Sequence, residues 1–217
     1  MSLAPAALRP WRAAALLGCL LGCLLAFGAA TPAAVQPSAD PGPLPGESLY
    51  QLGVTLQTST GVALPLAELR GKPLLIAMFY ASCSSVCPLL TATMQRIERA
   101  LAEPEHRRLR FVMVSLDPAH DTPEHLTAFA AEHHVDTGHW ILARTDSAQV
   151  RALAAALDVR YRMLPDGSFS HAAVITLLDA DGVPRARTRS LDGADPEFAA
   201  ALHAVLEAAV PADTVTR

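Results

Sequence analysis

The stretch Phe79-Tyr80-Ala81-Ser82-Cys83-Ser84-Ser85-Val86-Cys87-Pro88 ends one apolar run and opens an amphipathic one, so two cysteines sit where a strand hands over to a helix. The run before it, Leu74-Leu75-Ile76-Ala77-Met78-Phe79, is continuously apolar, as a central strand covered on both faces must be. After it, Leu90, Met94, Ile97 and Leu101 recur at spacings of three and four and mark one helix face. Pro88 suits the first helical position and disfavours helix in the residue before it, which puts Cys87 near the N-cap and Cys83 in the preceding loop. N–H groups at a helix N-terminus stabilise an anion, so a thiolate forms there at lower pH than in a free cysteine. A three-residue spacer lets the sulfurs bridge or stand apart around a metal, a disulfide needing β-carbons about 3.5–4.5 Å apart. The pair reads as a redox switch, a metal clamp or both; the plainer alternative is a structural disulfide or two buried thiols.

Outward from this junction, 217 residues suffice for one domain with a real core. With 51% hydrophobic and 18% charged residues and a net charge of −4, the composition excludes a nucleic-acid binder. The apolar excess is concentrated at the N-terminus. Residues 13–30 carry no charge, Arg9 and Arg12 precede them, and no Lys or Arg follows before Arg70. At about 1.5 Å per residue the segment spans roughly 27 Å, just enough for a bilayer core. The arginine asymmetry keeps the N-terminus in the cytoplasm and exports the rest. Residues 1–30 therefore read as a signal anchor, with two alternatives: cleavage near Gly28-Ala29-Ala30, or acylation at Cys19 or Cys23, each of which follows Leu-Leu-Gly. In each case Cys83 and Cys87 are the only cysteines of the exported domain, and in an oxidising compartment they must be oxidised, metal-bound or kept reduced by a partner. Residues 31–47, with prolines 32, 37, 41, 43 and 45, form an extended tether.

The domain proper runs over 48–211, with a tail at 212–217. Alternation at Tyr50, Leu52, Val54 and Leu56 predicts a strand over 50–57, turned back by Thr58-Ser59-Thr60-Gly61 into a strand over 62–64. Strands are expected at 111–116 and 140–143. Thr122-Pro123-Glu124 starts a helix bearing Leu126, Phe129 and Ala130, and Asp146 caps another through Leu157. Residues 160–170 read as irregular. Strands at 173–178 and 183–187 flank the turn Asp179-Ala180-Asp181-Gly182, and Asp195-Pro196 begins a last helix with Phe198, Leu202 and Leu206 inward. A hairpin, then βαβαβα, then a hairpin and a helix predict an α/β fold, a mixed sheet flanked by helices with an added N-terminal hairpin.

A strand, a two-cysteine loop, a helix and a later antiparallel hairpin with a terminal helix resemble a thioredoxin-like fold. Three motifs narrow the resemblance: Cys83-x-x-x-Cys87-Pro88; Asp117-Pro118-Ala119-His120-Asp121-Thr122-Pro123; and Ser170-His171 leading into the strand that ends at Asp179-Ala180-Asp181-Gly182. In this order and spacing, from about Tyr50 to Leu206, they resemble the Sco/SenC family of membrane-anchored copper-handling proteins of cytochrome c oxidase assembly. The resemblance implies that Cys83, Cys87 and His171 are copper ligands and that Asp121 lies near the site. It implies a copper metallochaperone anchored in the inner membrane with its domain in the periplasm. The partners implied are a copper-containing oxidase subunit, a thiol-reducing protein and an upstream copper donor. The chain departs from the family in having Ser84-Ser85 where Pro-Asp is frequent, and Ser170 where an acid often precedes the histidine; neither change removes a ligand.

The residues support this on their own chemistry. Two thiolates and an imidazole are a soft set suited to Cu(I) and able to hold Cu(II). A closed zinc site wants a fourth ligand, and the exported domain has no third cysteine. Three ligands leave a position open for a partner, and oxidation of Cys83 and Cys87 to a disulfide removes two ligands at once. A lone histidine before a strand is usually a surface residue. In thioredoxin-like folds, however, that loop faces the cysteines and carries a cis-proline where this chain has His171. Asp117 and Asp121 read either as turn and helix-start residues or as groups that orient a ligand or partner. His133, His134, Asp136 and His139 read as solvated surface, and His120 and His125 as an accessory copper-catching patch. The competing enzyme reading is a thiol-disulfide oxidoreductase acting on the cysteines of a partner's copper site. A thiol peroxidase is disfavoured because no Thr-x-x-Cys pattern occurs at the pair.

Overall fold

In the computed structural model, the residues described are 42–192 and 195–209. The expected anchor, most of the tether and the tail lie outside them; among the described residues no helix is long and apolar enough to cross a membrane. The strands are β1 (Thr55–Thr58), β2 (Ala63–Pro65), β3 (Leu74–Phe79), β4 (Arg110–Ser115), β5 (Trp140–Arg144), β6 (Tyr161–Met163), β7 (Phe169–His171), β8 (Ile175–Leu178) and β9 (Pro184–Thr188). The helices are α1 (Val86–Ala100), α2 (Glu103–His106), α3 (Pro123–Glu132), α4 (Ser147–Ala156) and α5 (Pro196–Ala208), with 3-10 turns at Leu49–Leu52 and Leu66–Leu69. Seven strands form one sheet in the order β2-β1-β5-β4-β3-β8-β9, and β6 pairs with β7 separately. The strands β3, β4 and β5 run parallel, while β8 runs antiparallel to β3 and β1 antiparallel to β5. This is the expected mixed sheet flanked by helices, with the β1–β2 hairpin added.

The continuous apolar run of β3 has a direct physical outcome, because all six of its residues are buried. Leu75, Ala77 and Phe79 face one core with Leu90 and Met94 of α1, Leu126 and Phe129 of α3, and Phe198 and Leu202 of α5. Leu74, Ile76 and Met78 face the other, with Val150 and Leu153 of α4 and with Leu49 and Tyr50. A strand buried on both faces cannot alternate polar and apolar residues, which is why its sequence reads as unbroken.

Register brings the chemistry-bearing loops to one end. Phe79 pairs with Ser115 in the parallel ladder, so the loops after β3 and β4 leave the sheet side by side, tied by the Leu116 N–H to the Phe79 carbonyl at 2.7 Å. Ala77 pairs with Ile175, so the segment preceding β8 arrives at the end where the cysteine loop departs.

Three expectations are corrected, and one element is new. The strand expected over 50–57 begins only at Thr55: Ser48 Oγ accepts the Tyr50 N–H, Leu49–Leu52 winds into a 3-10 turn, and Gly53 ends it in the left-handed region at φ 64°. Helix α1 starts before Pro88, with Ser85 at the N-cap, Cys87 second and Pro88 third. The first turn of a helix has no intrahelical acceptor for its N–H groups, so proline is tolerated at the third position as well as the first. Residues 160–170 are not irregular but form the β6–β7 hairpin, closed by Gly167 at φ 82° and by Asp166 Oδ1, which accepts the Ser168 N–H at 3.0 Å. Helix α2 was not expected; Glu105 folds back onto the Ala102 N–H at 3.1 Å to start it.

Candidate metal centre

Cys87 is completely buried and Cys83 is nearly so, both as free thiols. The loop from Tyr80 turns at once, the Cys83 N–H donating to the Tyr80 carbonyl. This places Cys83 Sγ over the start of α1, where it accepts the Cys87 N–H at 3.4 Å. No side chain from Ser85 caps this helix, so the sulfur fills the role an N-cap oxygen would fill. Strand β7 delivers His171, whose Nε2 lies 3.4 Å from Cys87 Sγ. The Ala172 carbonyl lies 3.2 Å from His171 Nδ1 and can only accept, so Nδ1 carries the proton and Nε2 presents its lone pair to the sulfurs. One ligand atom from each of Cys83, Cys87 and His171 lies within 4.8 Å of the others, so the three can hold a metal ion.

Burial alone would raise the Cys83 thiol, but N–H groups of Ser85 and Cys87 point at its sulfur and lower it to about 7. Burial pushes the Cys87 thiol well up, and the adjoining Cys83 adds to that. Desolvation lowers His171, keeping its imidazole neutral and able to donate a lone pair. The set therefore holds one readily formed thiolate, one thiol that ionises only when something replaces its proton, and one neutral imidazole. Thiolate absorption in the far ultraviolet checks this: the reduced chain is expected to gain one thiolate centred near pH 7, absent from Cys83→Ser. A first thiolate appearing only at or above the ordinary cysteine value, about 8.5, would contradict the arrangement.

Asp117 and Asp121 stand behind the loop rather than against the sulfurs. Asp121 Oδ2 accepts the Ala81 N–H at 3.0 Å and the Ser115 hydroxyl, and Ser115 Oγ in turn accepts the Asp117 N–H at 2.9 Å. Burial raises the Asp121 carboxyl, the two hydrogen bonds partly offsetting it. Asp117 pairs with the exposed His120 at 2.8 Å. His125 Nδ1 faces the His120 carbonyl, and His120 and His125 line a groove with Ala81, Ser82 and Asp121 beside the loop. Sequence reasoning missed Tyr80. Its hydroxyl lies against Cys83 and 3.3 Å from the Phe169 carbonyl, and its ring meets Phe169 and His171 edge-on. An aromatic residue directly after a buried strand carries no signal of its own. The expectation of solvated surface for His139 is also corrected, since its side chain is only 20% exposed and packs beneath His106.

Fold and site together define a thioredoxin-like protein with a dithiol–imidazole centre. The SCO1/SenC family model matches residues 50–207, and the chain belongs to that family. The SCO1 protein homolog of Bacillus subtilis is 30% identical over 86 residues, covering 40% of this chain and 44% of that protein. This chain spans about half the length of the curated relatives it matches, 44% and 63%. Among solved structures, that of Bradyrhizobium japonicum ScoI with copper bound is similar at TM-score 0.60 and 26% identity, covering 70% of this chain and 96% of that one. A SCO1/SenC family lipoprotein from Bacillus anthracis shares the fold at TM-score 0.62 and 21% identity, covering 70% and 91%.

Proposed function

We propose that this protein is a copper metallochaperone that takes one copper ion on Cys83, Cys87 and His171 and delivers it to a copper site of cytochrome c oxidase during assembly. The observation carrying the reading is the neutral His171 Nε2 held 3.4 Å from Cys87 Sγ at a helix start that already stabilises the Cys83 thiolate. This donor set is soft, fits copper, and is incomplete as a closed four-ligand zinc site. A copper-bound structure of the similar ScoI supports the same cargo. On loading, Cys83 offers a thiolate, His171 offers Nε2, and Cys87 releases its proton to solvent, so uptake weakens as pH falls. On delivery the open position accepts a partner's ligand, and return of the proton to Cys87 favours release. The N-terminal segment would hold the domain at the periplasmic face of the inner membrane. An upstream donor would supply the copper, a thiol-reducing partner would keep the pair reduced, and an oxidase subunit would receive the ion.

The test is transfer. Copper-loaded full chain mixed with a copper-free oxidase domain bearing a two-cysteine copper site is expected to lose its copper to that domain at a rate set by protein concentration. Retention of copper by this chain, with the acceptor empty, would overturn delivery.

The lowered Cys83 thiol favours a second reading, a thiol-disulfide oxidoreductase. Cys83 thiolate would attack a partner disulfide and release one partner thiolate; Cys87, once deprotonated, would resolve the mixed disulfide. Two electrons pass to the partner, and the Cys83–Cys87 disulfide remains.

A further inference from the structure

Away from the cysteines, Glu98 near the end of α1, His106 at the end of α2 and His139 just before β5 converge. Glu98 Oε1 lies 3.2 Å from His106 Nε2 and 3.9 Å from His139 Nε2, and one ligand atom from each residue lies within 4.8 Å of the other two. The other carboxylate oxygen is already engaged, Oε2 accepting the Trp140 indole N–H at 3.0 Å, which fixes the carboxylate and leaves Oε1 directed at the imidazoles. Independently of that geometry, His139 Nε2 is buried and has no hydrogen-bond partner. A buried ring nitrogen without a partner is unusual, and a ligand aimed at it would satisfy it.

We propose that Glu98, His106 and His139 form a second metal site, for a divalent transition ion of borderline softness such as Zn²⁺. One carboxylate oxygen and two imidazole nitrogens are the donors such ions take, whereas Cu(I) prefers the thiolates elsewhere in the chain. Tetrahedral bonds of about 2.0–2.2 Å set donor atoms roughly 3.3–3.6 Å apart, a spacing that Glu98 Oε1 and His106 Nε2 already reach at 3.2 Å, so closure needs the two imidazole nitrogens, now within 4.8 Å of one another, to approach. The two rings stack with planes 12° apart and centroids 4.0 Å apart, so their in-plane lone pairs run nearly parallel and binding requires His106 to tilt out of the stack. His106 can tilt because its side chain is one-third exposed at the end of a four-residue helix. The ion replaces the proton between His106 Nε2 and Glu98 Oε1, and that proton moves to His106 Nδ1 or to solvent. Arg110 and Asp136 are the other charges facing His139, and they oppose one another. The Trp140–Glu98 hydrogen bond acts as the outer partner that orients the ligand. The site stands apart from the cysteine centre and does not depend on it.

The experiment uses the full chain in detergent carrying Cys83→Ser, Cys87→Ser and Trp11→Phe, so that the first centre is removed and Trp140 is the sole tryptophan. Zn²⁺ competition titration is expected to show one ion per chain. Co²⁺ is expected to quench Trp140 with the same stoichiometry, and Zn²⁺ to reverse the quenching. Adding His106→Gln, at a one-third-exposed position at the end of a four-residue helix, is expected to lower Zn²⁺ affinity at least tenfold and abolish the quenching, as is Glu98→Gln. His133→Gln should change neither readout. No stoichiometric zinc, or zinc bound as tightly in His106→Gln with Trp140 unquenched by Co²⁺, would overturn the site.

Discussion

Replacing His171 with alanine is expected to cost the full chain its copper while sparing thiol exchange at Cys83 and Cys87. The imidazole supplies the side-chain nitrogen of the three grouped donors, with Nε2 3.4 Å from Cys87 Sγ and its orientation set by the Ala172 carbonyl. Loss of an outer partner typically weakens metal binding 10–100-fold, so losing one of three ligands should weaken Cu(I) retention on the order of 100-fold or more. Dithiol chemistry depends instead on the lowered Cys83 thiol, which backbone N–H groups set and His171 does not. Competition titration of Cu(I) and reaction of the reduced pair with a disulfide reagent separate the two. Wild-type copper affinity in His171→Ala would make the histidine a bystander.

Asp121 carries the second large effect, through the loop rather than through the metal. Its Oδ2 accepts both the Ala81 N–H and the Ser115 hydroxyl and so ties the start of the cysteine loop to the end of β4. Asp121→Ala leaves the buried Ser115 hydroxyl and the part-buried Ala81 N–H without this acceptor, at about 1–3 kcal/mol for a buried unsatisfied group, and frees the loop that aims Cys83. Thermal unfolding is expected to fall by several degrees and copper affinity to fall with it. Asp121→Asn separates geometry from charge, because one amide oxygen can take the place of Oδ2. Burial raises this carboxyl, so its ionised form opposes folding above the folded-state pKa, and that opposition is absent below the ordinary aspartate value. Asn, neutral throughout, should therefore restore stability and most of the copper affinity at neutral pH. An Asn variant as impaired as Ala would show that the negative charge itself is needed at the site.

The cysteine junction was legible because burial on both faces forces an unbroken apolar strand, and Pro88 confines the helix start to within a few residues. The mixed sheet flanked by helices followed for the same reason: β3, β4 and β5 are apolar runs alternating with helical periodicity. His171 was legible only through the resemblance, since nothing in Ser170-His171 announces that β7 will press it against Cys87. The β6–β7 hairpin escaped because three-residue strands carrying Arg162, Met163 and Ser170 bury too little to show a period. Residues 50–52 were misread as strand because a 3-10 turn, here Leu49–Leu52, can also bury residues close in sequence, Leu49 and Tyr50. Glu98, His106 and His139 come from three elements and meet only through packing, so no local spacing could announce them.

The most direct test of the central claim is X-ray absorption at the copper edge on the full chain loaded with one equivalent of Cu(I). Two sulfur scatterers and one imidazole nitrogen are predicted around copper in the wild type, with the imidazole signature gone in His171→Ala and one sulfur gone in Cys87→Ser. A copper environment without sulfur, or one unchanged by either substitution, would contradict the account.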